Sequence, residues 1–138
     1  MALRDALFDN MGHGALHEVL GPKTTGTLNL HRQFQSRGNI DFLLTLSSTT
    51  GVLGKISQAA YTVGSAFQDA LARYCVSQDL PSTAIDLGIV RSVGAIADMR
   101  DLTRHLERPG FSVHKKDDLL HLIQAAIQSS QSQATSFE

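Results

Sequence analysis

A single cysteine, Cys75, in 138 residues excludes an internal disulfide and fits a reducing compartment. No apolar run approaches the roughly 18 residues a membrane span requires. The opening Met1-Ala2-Leu3-Arg4-Asp5 has charges where a signal peptide needs an apolar core. The expectation is therefore a soluble, cytoplasmic protein with no membrane partner. Charge of either sign is also in short supply. Twelve Lys and Arg against thirteen Asp and Glu give a net charge of −1, with no basic stripe to hold nucleic acid and no like-charge block. Internal repeats are absent. A chain of this length with 42% hydrophobic residues makes one domain with one core.

The elements alternate between helix and strand. Leu3, Ala6, Leu7, Phe8 and Met11 suit one short amphipathic turn, closed by Gly12 and Gly14. A helical pattern then runs from Ala15 to about Gln35, broken at Gly21-Pro22, where a new helix can restart because proline is tolerated in a first turn. The run Asp41 to Leu46 reads as a buried strand, and Thr83 to Leu87 as a second. Ile96 to Leu106 reads as helical, stopping at Pro109-Gly110. Asp117 and Asp118 favour the start of a last helix over Leu119 to Ile127, since carboxylates suit a helix N-terminus. Residues 1–128 thus form the domain, and 129–138 a polar, disordered tail. The pattern predicts an α/β fold with parallel strands and flanking helices. Two strands make half of a doubly wound sheet, and the only candidate for a glycine-rich strand-to-helix turn, Gly12-His13-Gly14, lacks a third glycine and a preceding strand.

Between the two strands lies the stretch that organises the rest. Ser47-Ser48-Thr49-Thr50-Gly51 follows the first strand, and Gly51 and Gly54 mark a loop. From about Ser57 the pattern is helical, with Ala60, Val63, Ala66, Phe67, Ala70, Leu71 and Tyr74 at three- and four-residue intervals. A strand delivers serine hydroxyls to a loop, and the next helix presents Tyr61 in its first turns. Two hydroxyls are thereby aimed outside the carboxyl end of a strand, where open α/β sheets bind ligands.

These residues resemble a known family. Leu46-Ser47-Ser48, Gly51, Gly54, Gln58, Tyr61, Ala66-Phe67 and Asp69-Ala70-Leu71-Ala72 are similar to the ketoreductase domain of polyketide synthases, a short-chain dehydrogenase/reductase fold. The likeness to the fungal, highly reducing type extends over nearly the whole chain, through Leu3 to Phe8, Pro22 to His31, Leu80 to Thr83 and Asp86-Leu87-Gly88 in order. The resemblance implies a partial Rossmann-like fold whose nucleotide-binding half would precede Met1. It also implies NADPH-dependent reduction of a β-ketoacyl thioester carried on an acyl carrier protein. In that family a serine and a tyrosine thirteen residues later hold the ketone, which selects Ser48 over Ser47. Tyr61 would then give its proton to the carbonyl oxygen. Lys23 matches the family's lysine, which tunes the tyrosine and meets the cofactor. Gly88 matches the loop beside the nicotinamide. Ser65 stands where the family usually has the asparagine of a water relay. Asp5 falls in a Leu-x-Asp signature tied to one stereochemical class, and the absence of tryptophan removes the marker of the other.

A second reading is a non-catalytic remnant or accessory protein that binds a synthase, a partner chain or itself through an unprotected sheet edge. The remaining candidates have plain readings. Cys75 falls within the helical pattern as a small core residue. His13 and His17 stand four apart and could share a metal, but the sequence places no third ligand, so ordinary surface histidines and no metal are expected.

Overall fold

The computed structural model describes residues 4–36, 40–90 and 113–135. A short 3₁₀ turn at Phe8–Asn10 precedes α1 (His13–Gly21), and α2 spans Thr27–Gln35. Then come β1 (Leu43–Ser48), α3 (Thr50–Leu53), α4 (Ala59–Val76), β2 (Ser82–Leu87), the two-residue strands β3 (Ile89–Val90) and β4 (Val113–His114), and α5 (Lys116–Thr135). β1 pairs in parallel with β2, with Leu43 opposite Ser82 and Ser48 opposite Leu87. The crossover between them is α3 and α4, the helical connection that parallel strands require. The α/β class with parallel strands is thus the one expected.

The break expected at Gly21-Pro22 is absent. Helix continues from α1 into α2 through a wide π segment, Pro22–Gly26, in which Gly21 and Gly26 keep right-handed helical backbone. A proline has no N–H to give and its ring crowds the preceding turn, and the wider π turn accommodates both. The Thr24 hydroxyl donates to the Leu20 carbonyl at 2.9 Å and satisfies one acceptor there. The first strand also ends later than expected: Ser47 and Ser48 are its last two residues, not the loop. α5 starts at Lys116 and runs through Thr135, so the tail expected from Ser129 is helical as far as that residue. No glycine or proline lies between Ser129 and Thr135 to stop it. The helix expected at Ile96 to Leu106 and the stop at Pro109-Gly110 lie outside the described residues.

α4 is the pivot of the described structure. It packs on β1 and β2, while α1 and the π segment lie against it as well. Its buried residues are Ala60, Gly64, Ser65, Gln68, Asp69, Ala72 and Cys75, small or polar almost throughout. Cys75 is 1% exposed and contacts the buried His31 of α2, Sγ to Nδ1 at 3.3 Å. Burial pushes the Cys75 thiol up, which suits a packing residue and not a nucleophile.

Gly51 shows how tight the seam is. A Cβ there would lie 3.0 Å from Ser65 Cβ, 3.1 Å from the Ala66 nitrogen and 3.2 Å from Asp69 Oδ2, so α3 approaches α4 only because residue 51 has no side chain. Gly51→Ala should lower stability by about 1–3 kcal/mol through overpacking, read as a fall in the urea midpoint at unchanged slope. An unchanged midpoint would show that the seam can relax.

Candidate active site

Strand alternation separates the two serines. Ser47 turns to α4, where its hydroxyl donates to the Ser65 carbonyl at 3.1 Å, and so ties strand to helix. Ser48 faces the other way at the carboxyl end of β1. Its oxygen accepts from the Thr50 amide at 3.3 Å and the Thr50 hydroxyl at 3.1 Å. That leaves the Ser48 proton free of these two bonds, and the Ser48 hydroxyl is close enough to the Tyr61 phenol to pull its titration down.

Tyr61 sits in the first turn of α4, half-buried. Gln58, just before the helix, is 7% exposed and donates from Nε2 to Asp5 Oδ2 at 2.9 Å, while the Ala6 amide donates to the Ser57 carbonyl at 2.9 Å. The segment around Asp5 is thereby docked on the approach to Tyr61. Ser57 itself holds a positive φ of 66°, a backbone state unfavourable for a serine, and the Asp5–Gln58 contact fixes the turn that contains it.

Lys23 rises from the π segment, a helix irregularity often found at functional sites. Its stem lies flat across α4 at Gly64, where an added Cβ would be 2.9 Å from Lys23 Cβ and 3.0 Å from its Cδ. Its ammonium stands over the Tyr61 ring, 4.7 Å from the centroid. Nζ donates to Gln68 Oε1 at 2.8 Å and more weakly to the Leu46 carbonyl at 3.5 Å. Burial pushes the Lys23 pKa down, and the negative field of Asp69 and Asp86 opposes that shift.

Ser48, Tyr61 and Lys23 are thus brought together. Ser65 is not part of that group. It is fully buried, and its hydroxyl donates back to the Tyr61 carbonyl at 3.0 Å, a bond within its own helix. Gly88 lies between β2 and β3, at the same end of the sheet as Ser48; the preceding Leu87 carbonyl accepts from the Thr49 amide at 3.0 Å. Sequence reasoning missed Gln68 and Gly64. The available signal was register, since Gly64 and Gln68 are four apart and Gln68 lies two turns beyond Tyr61, all on one helix face.

Two other features are separate from this group. A cavity of about 410 Å³ is lined by Asp69, Arg73, Ser82, Thr83 and Asp86 among others, and by none of Ser48, Tyr61 and Lys23. His13 and His17 are exposed with their Nε2 atoms 3.2 Å apart, and the described residues hold no group of three potential metal ligands.

Residues 1–92 match the family described as the KR domain. The chain belongs to the KR domain family. It is 43% identical over 129 residues to a highly reducing polyketide synthase of Talaromyces stipitatus, covering 94% of this chain and 5% of the relative. It is also 39% identical over 136 residues to a squalestatin tetraketide synthase of Phoma sp., covering 99% of this chain and 5% of that one. The chain thus spans about 5% of the length of these relatives. Among solved structures, the ketoreductase from the first module of phoslactomycin biosynthesis in Streptomyces sp. HK803 superposes with a TM-score of 0.80 at 25% identity, covering 91% of this chain and 28% of that one. The first ketoreductase of the tylosin synthase gives 0.78 at 27% identity, covering 94% and 28%. By sequence the chain thus falls with the KR domains of polyketide synthases, and by fold it is Rossmann-like.

Burial pushes the Tyr61 phenol up, and the Ser48 hydroxyl opposes that shift. A folded value above the unfolded one, about 10, means the neutral phenol is the form that native packing favours. Its contribution is complete below about pH 10 and is lost as pH rises through the folded value. Urea titrations at about pH 9 and about pH 11 should show a stability loss that is smaller in Tyr61→Phe. An equal loss in both proteins would contradict the burial of the phenol.

Proposed function

We propose that this KR domain reduces a β-ketoacyl thioester to the β-hydroxyacyl thioester within polyketide biosynthesis, with Tyr61, Ser48 and Lys23 as the reacting group. The observation that carries the reading is the convergence of two hydroxyls and one ammonium at the carboxyl end of a parallel strand pair.

The chemistry follows from the donors. Ser48 gives a hydrogen bond to the ketone oxygen, and Tyr61 gives that oxygen a proton as negative charge develops on it. A free phenol is too weak an acid for this at neutral pH and burial weakens it further, so a cation must offset the cost. The Lys23 ammonium over the ring supplies that field. The donor set also suits a nicotinamide nucleotide. Lys23 carries three protons and the phenol one, and both can meet ribose hydroxyls, with the Gly88 backbone at the adjacent strand end. When bound, such a nucleotide supplies a hydride to the carbonyl carbon. A 4-hydroxyisoleucine dehydrogenase complexed with NADH shares this fold at a TM-score of 0.69 and 15% identity. NADPH is our choice of donor, and the thioester on an acyl carrier protein our choice of substrate. Ser65 enters as a buried hydroxyl bonded back to the Tyr61 carbonyl, so any water relay at that position must be rearranged.

A second reading is a non-catalytic member of a polyketide pathway that binds a synthase or another chain. The inward-turned Ser65 hydroxyl favours it.

NADPH consumption with a β-ketoacyl thioester tests the proposal. Wild-type turnover should fall by about 10²- to 10⁴-fold in Tyr61→Phe, the range expected for loss of a general acid. Turnover retained in Tyr61→Phe would overturn the assignment. A wild-type chain that neither binds nor consumes NADPH would favour the second reading.

A further inference from the structure

We propose that Gln68 is the positioning residue for Lys23, holding its ammonium against Tyr61 from a site one turn beyond the serine at position 65. The inference rests on the ketoreductase reading above and deepens it.

A half-buried ammonium that has lost water needs an acceptor, and few are within reach. The Leu46 carbonyl is distant at 3.5 Å. Gln68 Oε1, at 2.8 Å, is the short contact. Gln68 is itself 8% exposed, and its amide has a defined orientation. Nε2 donates to the hydroxyl of Thr27 at 3.3 Å, and Thr27 is 4% exposed on the first turn of α2. With the NH₂ end occupied by that hydroxyl, the oxygen end faces the lysine. The lysine stem is confined from the other side by Gly64. Thr27, Gln68 and Gly64 together hold the ammonium over the Tyr61 ring.

The choice of an amide has a chemical reason. A carboxylate at position 68 would hold the cation equally well but cancel its charge beside the phenol. A neutral carbonyl holds the cation and leaves its field intact. The acids that act on Lys23, Asp69 on the same helix and Asp86 on β2, act through space and are not bonded to it.

The test uses the full chain in a Tyr74→Phe background, so that Tyr61 is the only tyrosine and can be replaced by 3-fluorotyrosine. That phenol is more acidic than tyrosine's, and fluorine NMR follows its titration before alkaline unfolding. Lys23→Met should raise its midpoint by about one pH unit, the loss of one cation at close range. Gln68→Leu should raise it by at least half as much, and the double variant no more than Lys23→Met alone. Nuclear Overhauser contacts between the Lys23 ε-methylene and the Tyr61 ring should vanish in Gln68→Leu and persist in Gln68→Glu, which restores an acceptor. Gln68→Met, of similar length, should match Gln68→Leu and serves where leucine perturbs folding. A midpoint and ring contacts that stay in place in Gln68→Leu, while Lys23→Met moves the midpoint, would overturn the proposal. Should Lys23→Met itself leave the midpoint unmoved, the tuning role of Lys23 fails, and the ring contacts alone decide whether Gln68 holds the lysine.

Discussion

Helix α4 comes so close to its neighbours that two of its contacts require a glycine. Gly64 lets the Lys23 stem cross the helix, Ser65 and Asp69 meet Gly51, and Ala60 and Ala72 are buried beside them. This closeness brings together groups that belong to distant parts of the chain. Lys23, on the π segment, reaches a tyrosine on α4, and that tyrosine lies beside a serine at the end of β1. A larger residue at Gly64 would displace the Lys23 stem, and one at Gly51 would push α3 away from α4.

Close approach also explains why so much of the interior is polar. The seam buries Ser47, Ser48, Ser65 and Gln68, and small or polar side chains at such a contact need hydrogen bonds in place of bulk. Ser47 binds the Ser65 carbonyl, Ser65 binds the Tyr61 carbonyl, and Gln68 bridges Thr27 and Lys23. The network fixes α4 in rotation about its axis. That rotation decides whether Tyr61 faces Ser48. Packing and chemistry therefore depend on the same few atoms.

Much of this is legible in the sequence. The apolar run into Leu46 and the spacing from Ala60 to Tyr74 read correctly as strand and helix, and the order of short motifs matched the family. What escaped has physical causes. A run of serines and threonines has the composition of a loop, yet Ser47 and Ser48 are strand residues because their backbone pairs with β2. Gly21-Pro22 reads as a break, yet a π turn carries the helix through it. Two-residue strands such as β3 and β4 are too short for any pattern, and their pairing is decided by tertiary contact. Gln68, beside Asp69 in the helical stretch, carries no motif of its own, and its burial comes from Lys23 and Thr27, which meet it from distant parts of the chain.

The central claim is that these three side chains form a nicotinamide-dependent reductase site. The most direct measurement is a titration of the purified chain and of Lys23→Ala with NADPH, following nucleotide fluorescence and the thermal midpoint together. At a hundredfold excess over the dissociation constant, the wild-type chain should gain about 2.7 kcal/mol of stability. Lys23→Ala should gain clearly less at the same concentration. A chain whose midpoint and nucleotide fluorescence stay unchanged at saturating NADPH would contradict the account.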